Sequence, residues 1–393
     1  MKRVNLLLTI LCITLMGNSS FAQNAAFSKV PGTIIAHVPQ STGQYIGSPS
    51  LAILPNGDYV ASHDLFGPNS TENSRALTRI FRSSDKGKTW NQVSEIDGQF
   101  WSKLLVHQND LFLFGTDKHN GNVIIRRSSD RGLTWTNPAG EYSGLLREGQ
   151  YHCAPMAFLN YNGRLWRAME EVSPDNNGVR HKPFVMSIPL DADPMIASNW
   201  TSSALLEIDT TQLQEKLTSW VEGNVVAGPD GQLWNILRVN NQASLDEKAA
   251  YVKVAEDGAR LSFDPENGLL PFPGGSKKFT IQYDPVSKLY WTLTNYIPSH
   301  VRRVNEGKNP ATLRNTQALF CSPDLKYWEF RTIVLFHRDV INHGFQYVDW
   351  VIDGRDIVFV SRTAYEDGQG GAHNNHDSNF LTFHRIKNFR KAQ

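Results

Sequence analysis

The chain is a succession of short segments in which apolar and polar residues alternate. Alternation with a period of two predicts β-strands that have one buried face and one polar face. Turn pairs such as Asn56-Gly57, Asn162-Gly163 and Asp353-Gly354 separate several of these segments. Such pairs accept the positive φ angles of tight hairpin turns. The pattern therefore predicts an all-β chain built from hairpins.

Six pairs of apolar segments are predicted to form inner hairpins. They are Ser48–Leu54 with Tyr59–Asp64, Trp101–His107 with Leu111–Thr116, His152–Leu159 with Leu165–Glu171, Glu222–Ala227 with Leu233–Val239, Phe279–Tyr283 with Leu289–Tyr296, and His343–Ile352 with Ile357–Tyr365. Each pair is followed by a third segment, and the early segment Gly32–Val38 is free to complete the last group. Repeated four-stranded groups predict a β-propeller, here a single domain of six blades over residues 23–393.

Two segments, Ser83–Trp90 and Ser128–Trp135, match the Asp-box pattern Ser-x-Asp-x-Gly-x-Thr-Trp. In such a turn the Asp side chain accepts backbone N–H groups, Gly takes a positive φ, and Trp packs under the adjoining hairpin. Weaker matches occur at Ser322–Trp328 and Glu256–Gly258. We expect the Asp boxes to stabilise the fold and to take no part in chemistry.

The first 22 residues have the organisation of a secretory signal peptide. Lys2 and Arg3 form a basic head, Val4–Met16 is an apolar run, and small residues lead to a cleavage point after Ala22. The apolar run is too short to span a bilayer. We therefore expect an exported protein, secreted or periplasmic, with no membrane anchor.

Charge and cysteine content narrow the class of partner. The chain has 39 basic and 38 acidic residues, so no basic face for nucleic acid is predicted. Cys153 and Cys321 remain after loss of the signal peptide, and we expect them to be packed in the core rather than paired. A monomer that acts on a sugar polymer is the expectation.

Propeller geometry sorts the polar residues onto two faces. The Asp boxes lie on one face, whereas first strands start, second strands end and third strands start on the other. The candidate contact residues on this second face are Gln44, His63, Arg126, His152, Arg180, Arg238, Arg362 and Tyr365. Cations and imidazoles that gather on one face of a neutral chain predict a pocket for an acidic sugar. A simpler explanation for any one of them is a solvated surface group, and Arg238 could merely pair with Glu222.

The loop Ala372–Asp377 is a candidate metal site. It holds His373, His376 and Asp377 within five residues, next to the glycine-rich stretch Gly368–Gly371. Two imidazoles and a carboxylate suit a divalent metal. The alternative is that these side chains only order the loop.

The stretches Tyr45–Ser50, Leu54–Asp64, Gly371–Asp377 and Asn379–His384 resemble those of exported sialidase-like propellers. That family includes the L-rhamnose-α-1,4-D-glucuronate lyases and hydrolases, and the resemblance spans nearly the whole mature chain. It implies removal of rhamnose caps from arabinogalactan-type acidic plant polysaccharides. It also implies seven blades rather than six and, in lyase members, a calcium ion near the centre, for which the histidine loop is the candidate. The Arg-Ile-Pro motif of true sialidases does not occur.

Within this resemblance the residues favour a lyase. The hydrolase branch relies on a histidine at a position that aligns with Gln44, and glutamine is no acid–base group. β-Elimination requires that the glucuronate carboxylate be neutralised before its C5 proton can leave. Arg126, Arg180 and Arg238 are the predicted neutralising residues.

The proton transfers are assigned to side chains on the same predicted face. His63 is the predicted base, and His152 or Tyr365 is the predicted acid that assists the departing rhamnose. A glycoside hydrolase is the first alternative, since it needs a pair of carboxyl groups. Carboxyl groups available for that role are Asp64, Glu170, Glu171 and Glu222. The second alternative is a non-catalytic glycan-binding propeller.

Overall fold

The structure is a computed structural model that describes residues 27–172, 180–207, 220–240 and 245–392. Nearly all regular structure in these ranges is β-strand, with one short α-helix, α1 (Ser299–Val304). None of the described helices has the length and apolar character needed to cross a bilayer. The predicted signal peptide, residues 1–22, lies outside the described residues.

The described strands form six antiparallel groups, preceded by β1 (Thr33–His37). The first group comprises β2 (Tyr45–Ile46), β3 (Ser50–Ile53), β4 (Tyr59–Phe66), β5 (Leu77–Ser83) and β6 (Asn91–Asp97). The second comprises β7 (Phe100–His107), β8 (Asp110–Thr116), β9 (Gly121–Ser128) and β10 (Leu145–His152). The third comprises β11 (Leu159–Tyr161), β12 (Arg164–Val172), β13 (His181–Pro189) and β14 (Thr201–Ser202). Strand β10 also pairs with β12, so the second and third groups share one sheet.

The remaining groups follow the same order. The fourth comprises β15 (Trp220–Ala227), β16 (Leu233–Val239), β17 (Lys248–Val254), β18 (Leu261–Ser262) and β19 (Leu269–Pro271). The fifth comprises β20 (Thr280–Asp284), β21 (Leu289–Asn295), β22 (Thr316–Ser322) and β23 (Glu329–Phe336). The sixth comprises β24 (Gly344–Asp353), β25 (Asp356–Ala364) and β26 (Phe380–Ile386). Five of the six predicted inner hairpins pair as expected. In the third, His152 at the end of β10 and Leu159 at the start of β11 both pair with β12, but residues 153–158 between them are not a strand.

The early strand β1 completes the sixth group. It runs antiparallel to β26, with Thr33 opposite Phe383 and His37 opposite Phe380. The prediction that Gly32–Val38 supplies the fourth strand of the last group is therefore confirmed. The two ends of the described chain meet in one sheet.

Side chains join the first strands of neighbouring groups. Ser50 Oγ of β3 donates to Asp349 Oδ2 of β24 at 2.9 Å and accepts from the Leu104 N–H of β7 at 2.9 Å. Asn224 Nδ2 of β15 donates to the carbonyl of Phe279, beside β20, at 3.3 Å. Because these polar side chains are buried, each bond satisfies a group that would otherwise be costly to bury.

The apolar core lies between neighbouring groups. Trp291 of β21 packs in one cluster with Trp350 of β24 and Phe359 of β25, all at most 1% exposed. Large aromatic side chains of this kind contribute most of the hydrophobic free energy of folding. Cys153 and Cys321 are both buried and free, as expected for packed thiols.

The Asp boxes form the predicted turns. Asp85 accepts the backbone N–H groups of Lys88 and Thr89 at 3.0 and 2.9 Å, while Lys86 takes a φ of 63°. A Cβ at Gly87 would lie 2.1 Å from the Phe383 ring, so only glycine permits this approach. Asp130 binds its turn in the same way.

The two weaker matches have different outcomes. Asp324 accepts the N–H groups of Lys326 and Tyr327 at 2.9 and 2.8 Å, and the indole of Trp328 donates to the carbonyl of Leu325 at 3.1 Å. This turn is a third Asp box, one residue shorter than the others. Among the described residues the Asp257 side chain accepts only the Ala259 N–H, at 2.9 Å, and no tryptophan follows it at the Asp-box position, so Glu256–Gly258 is an ordinary turn.

Candidate active site

A cavity of about 190 Å³ opens at the end of the hairpins opposite the Asp boxes. Strand pairing fixes this placement, because Tyr59 of β4 lies opposite Ser83 of the first Asp box, whereas Asp64 lies at the other end of β4. Polar and aromatic side chains from four of the groups surround the cavity. They are Ser48, Asp64, Phe66, Glu72, Phe100, Trp101, His119, His152, Glu222, Tyr347, Arg362 and His376.

Three lining residues sit on β-bulges in the first strands of three groups. Trp101 of β7, Glu222 of β15 and Tyr347 of β24 have φ angles of 48°, 60° and 52°. The pairing register shifts at each of them. A bulge turns one side chain out of the regular alternation and costs backbone strain, which is a recurring feature of active sites.

Three arginines surround the Tyr347 side chain. The guanidinium carbons of Arg362 and Arg314 lie 4.5 and 5.7 Å from the centre of its ring. Arg238 Nη1 lies 3.4 Å from its hydroxyl oxygen and 3.0 Å from a carboxylate oxygen of Glu222. Burial alone would raise the pKa of Glu222, but the adjacent Arg238 lowers the pKa overall, so Glu222 is ionised. The cluster keeps an excess of positive charge, which suits an anionic ligand.

Asp64 is a buried carboxyl group in the wall of the cavity. One of its oxygens accepts the Trp101 N–H at 2.7 Å, and the other, Oδ1, has no partner among the described residues. Burial raises the pKa of Asp64 to about 7, although the Trp101 N–H and Arg362 favour the ionised form. Asp64 can therefore hold a proton near neutral pH and give it to a bound group.

A histidine–carboxylate pair lines the opposite side. His152 Nδ1 lies 2.8 Å from Glu170 Oε2, and Glu170 Oε1 accepts the Gly223 N–H at 3.3 Å. The His152 ring packs edge-on against Trp101, with centroids 4.3 Å apart. A carboxylate accepts a hydrogen bond from the N–H of the Nδ1 tautomer, which leaves a lone pair on Nε2. His152 can therefore act as a base.

The structure brings together only some of the predicted residues. His152, Arg362 and His376 line the cavity, and Arg238 contacts Tyr347 behind it. Burial, followed by the charge of Arg362, lowers the pKa of His376 to about 3, so this imidazole is neutral.

The prediction that His63 lies on the open face is wrong. Its side chain is fully buried and stacks on Phe81, with centroids 5.6 Å apart. Nδ1 contacts the Asp64 carbonyl at 2.9 Å, and burial lowers the pKa to about 4. Successive strand residues face opposite sides, so Asp64 rather than His63 points into the cavity.

Arg126 is a structural residue rather than a ligand for substrate. Its guanidinium donates to Gln99 Oε1 at 3.1 Å and to the carbonyls of Asp97, Gly98 and Thr136 at 2.9 to 3.0 Å. Through these hydrogen bonds Arg126 holds the connection between β6 and β7 in place.

Four other predicted residues lie away from the cavity lining. Gln44 donates to the Asn69 carbonyl at 2.9 Å, and Arg180 is exposed at a bend. Tyr365 packs edge-on against His343, with centroids 4.9 Å apart. His373 stacks on Tyr45 at the loop surface.

Sequence reasoning missed Tyr347 and Arg314. Tyr347 lies inside a strand in which apolar and polar residues alternate normally, and nothing in the sequence marks the positive φ of this tyrosine. Arg314 precedes β22 in the connection after α1 and was not on any predicted rim. The one feature of the sequence that indicated this cluster was the spacing of Glu222 and Arg238 within one hairpin.

The histidine loop does not fit calcium, which takes about six to eight oxygen ligands. Asp377 is the carboxylate nearest to both imidazoles, and it lies 2.7 Å from His376 Nδ1. The Arg362 guanidinium donates to the His376 carbonyl at 2.5 Å. A cation there would meet a guanidinium and only one carboxylate.

The centre of the molecule fits calcium no better. Asp349 already pairs with Lys103 Nζ at 2.6 Å, and Lys278 Nζ donates to the Val348 carbonyl at 2.5 Å. Burial lowers the pKa of Lys278 to about 8. Two ammonium groups beside one carboxylate leave no position for a divalent cation.

One further group among the described residues places possible metal ligands within 4.8 Å of one another, namely His337, His343 and Glu366. Both imidazoles already contact polar groups. His337 Nδ1 accepts the Asp339 N–H at 3.1 Å, His343 Nδ1 lies 3.2 Å from Asp339 Oδ2, and His343 Nε2 lies 2.9 Å from Glu366 Oε2 but makes no hydrogen bond among the described residues. The rings stack at 22°, so their planes do not converge on one ion. We therefore assign no metal to this group.

No family profile and no curated protein sequence matches the chain. Solved structures do match it. The α-L-arabinanase of Penicillium chrysogenum, complexed with arabinobiose, is 17% identical with a TM-score of 0.56, over 92% of this chain and 99% of that one. The Hadza microbial sialidase Hz136 is 12% identical with a TM-score of 0.60, over 91% and 68%. The α-L-arabinofuranosidase Arb93A of Fusarium graminearum is 10% identical with a TM-score of 0.55, over 91% and 97%.

The chain shares the β-propeller fold of these solved structures. At these identities the likeness concerns the fold alone. The predicted propeller class is confirmed to that extent, and the activity has to be inferred from the cavity.

Proposed function

We propose that the protein is a carbohydrate-active enzyme that hydrolyses the bond to a terminal, carboxylate-bearing sugar. The observation that supports this most is the cluster of Arg238, Arg314 and Arg362 around Tyr347, beside a cavity whose wall includes the carboxyl of Asp64. Its six strand groups would be the blades of one ring, and the protein would be exported.

The arginines would bind the sugar carboxylate. Guanidinium groups form paired, charge-assisted hydrogen bonds with carboxylates. Arg314 and Arg362 are buried, at 5% and 3% exposure, so their charges are poorly screened by water.

The cavity volume indicates exo action. At about 190 Å³ it is smaller than the ~300–1,000 Å³ of pockets that enclose drug-sized ligands. One sugar ring would fit, and the rest of the glycan would extend into solvent past Trp101 and His119.

Asp64 would protonate the leaving oxygen, and Tyr347 would attack the anomeric carbon. A tyrosine nucleophile is used by sialidases. It suits an acidic sugar because a neutral hydroxyl is not repelled by the substrate carboxylate, as a carboxylate nucleophile would be. The ionised Glu222 lines the same cavity and would accept the Tyr347 proton. Water would then release the sugar from Tyr347, with Asp64 acting as base.

The known proteins with this fold add support. The arabinanase, the arabinofuranosidase and the sialidase among them all act on carbohydrate by their names. Acidic plant polysaccharides such as arabinogalactans are our proposed substrate class.

Product analysis on synthetic aryl glycosides and on gum arabic tests the proposal. We expect an intact, saturated acidic monosaccharide to be released, and none from a Tyr347→Phe variant with the thermal stability of the wild type. Binding of these glycans without any released sugar would identify a lectin instead.

β-Elimination at a rhamnose-capped glucuronate is the second candidate, and the His152–Glu170 pair favours it. His152 Nε2 would take the C5 proton, the arginines would stabilise the resulting enolate, and Asp64 would protonate the rhamnose oxygen. The product would be a 4,5-unsaturated uronate that absorbs ultraviolet light. Its appearance, together with loss of activity in His152→Gln but not in Tyr347→Phe, would replace hydrolysis by elimination.

A further inference from the structure

The side chain of Gln346 lies directly behind the arginine cluster. It is 0% exposed and immediately precedes the strained Tyr347 in β24. Its Oε1 accepts from Arg314 Nη1 at 2.6 Å. Its Nε2 donates to the carbonyls of Asn375 and His376, each at 2.7 Å.

The same loop carbonyl also holds Arg362. The His376 carbonyl accepts from Arg362 Nη2 at 2.5 Å, and Gln346 Nε2 lies 3.2 Å from Ser378 Oγ. A continuous chain of hydrogen bonds therefore runs from Arg314 through Gln346 and the His376 carbonyl to Arg362. Both arginines contact the Tyr347 ring from this chain.

Two buried guanidinium groups on one ring repel each other in the absence of an anion. Holding them in place requires a neutral side chain that accepts a hydrogen bond from one arginine and donates one to the carbonyl that binds the other. A glutamine amide has both functions. A carboxylate at this position could accept from Arg314 but could not donate to the two carbonyls, and it would neutralise the charge that a ligand needs.

We propose that Gln346 is a positioning residue that fixes the separation of Arg314 and Arg362 to match the two oxygens of a planar carboxylate. It thereby sets the preference of the site for an acidic sugar over its neutral ester. The inference rests on the proposed function, in that the ligand carboxylate is taken to lie between these two arginines.

The test compares Gln346→Met with Gln317→Met. Gln317 is also buried, at 1% exposure, and its Nε2 donates to the Phe345 carbonyl at 2.7 Å without contacting an arginine. Binding of D-glucuronate and of its methyl ester is measured by calorimetry, and turnover of the matching aryl glycosides gives KM and kcat.

We expect Gln346→Met to weaken binding of the acid by about 10–100-fold, as for loss of hydrogen bonds to charged groups, and to change binding of the ester little. KM for the acid should rise more than kcat falls. Gln317→Met should lower thermal stability and leave the acid-to-ester ratio unchanged. An equal loss for acid and ester in Gln346→Met would reduce Gln346 to a structural residue and overturn the inference.

A second variant and a structural readout cover failure of folding or of the proposed function. Gln346→Glu keeps the side-chain size and should reduce the acid-to-ester ratio further, because its charge pairs with Arg314; an unchanged ratio contradicts the proposal. If the wild-type protein binds no acidic sugar, the proposed function fails. A crystal structure of whichever variant folds then tests Gln346 alone, and an unchanged Arg314–Arg362 separation overturns its positioning role.

Discussion

Non-glycine residues with positive φ angles occur at both ends of the hairpins, but their roles differ between the two ends. At the Asp-box end, Lys86, Arg131 and Leu325 have φ angles of 63°, 65° and 67°. At each of these turns an Asp carboxylate accepts two or more hydrogen bonds, so the strain is offset locally.

At the cavity end, Trp101, Glu222 and Tyr347 have positive φ angles of 48°, 60° and 52°. There the polar groups are less completely paired, since among the described residues Asp64 Oδ1 has no partner and Glu222 pairs with only Arg238 of the three arginines. A strained turn is tolerated when local hydrogen bonds offset its cost. A strained bulge instead places polar groups where a ligand can supply their missing partners.

The largest expected effect is at the cavity end. Asp64→Asn should lower kcat by about 10²–10⁴-fold, because the amide cannot donate the proton that the leaving group needs. Its thermal stability should not fall below that of the wild type, since the Trp101 N–H still meets an oxygen. Steady-state kinetics and thermal unfolding measure both, and retention of full activity would remove Asp64 from the mechanism.

The second effect is at the Asp-box end. Trp135→Ala should lower the free energy of unfolding by about 3 kcal/mol through lost packing, and should leave kcat of the folded enzyme unchanged. Denaturant unfolding gives the first quantity and activity below the transition gives the second. Trp135→Phe is the milder control. A stable but inactive Trp135→Ala protein would contradict the division between the two ends.

The pH dependence should separate the two ends further. Burial raises the pKa of Asp64 to about 7, so the protonated acid is lost, and kcat falls, as the pH rises through about 7. The folded protein binds this proton more tightly than the unfolded chain, so Asp64 lowers stability as the pH rises from about 4 to 7. Asp64→Asn should remove this pH-dependent loss of stability, which denaturant unfolding at about pH 4 and about pH 7 would measure.

The Asp boxes should respond in the reverse direction. Burial would raise the pKa of Asp130, but hydrogen bonds from Thr134, Ser128 and Leu133 lower it to about 2. Its contribution to stability is therefore present above about pH 4 and is lost as the pH falls towards 2.

The smallest effect concerns the turn strain itself. Lys86 has a φ of 63°, whereas the neighbouring Lys88 does not have a positive φ. Glycine relieves strain at the first position and only adds chain entropy at the second, so Lys86→Gly should be more stable than Lys88→Gly by about 1 kcal/mol. Equal stabilities would show that the Asp-box turn is not strained at Lys86.

The fold was largely predictable from the sequence because its signals are local. Turn pairs, alternation and the Asp-box letters each specify a few neighbouring residues, and even the pairing of Gly32–Val38 with the last group followed from a missing strand. The third Asp box was visible at Ser322–Trp328 despite its missing residue.

The site was less predictable, because it depends on which way each side chain points. A one-residue choice decides whether His63 or Asp64 faces the cavity, and the sequence favours neither. The bulges at Trp101 and Tyr347 shift this alternation again without a glycine to mark them, whereas Gly223 follows Glu222 within the third bulge. Arg126 was assigned to the rim by the same alternation, yet its guanidinium reaches the carbonyls between β6 and β7.

Because β1 pairs with β26, the first and last strands of the described chain are neighbours in space. Thr33 and Phe383 are roughly 350 residues apart and adjacent in the sheet, so the β1–β26 pairing forms only after the last strand has been synthesised. A circular permutant that joins the present ends and opens at the exposed Asn162-Gly163 turn would keep every strand neighbour. The pairing that waits for the last strand would then be that of β11 with β12 in the third group.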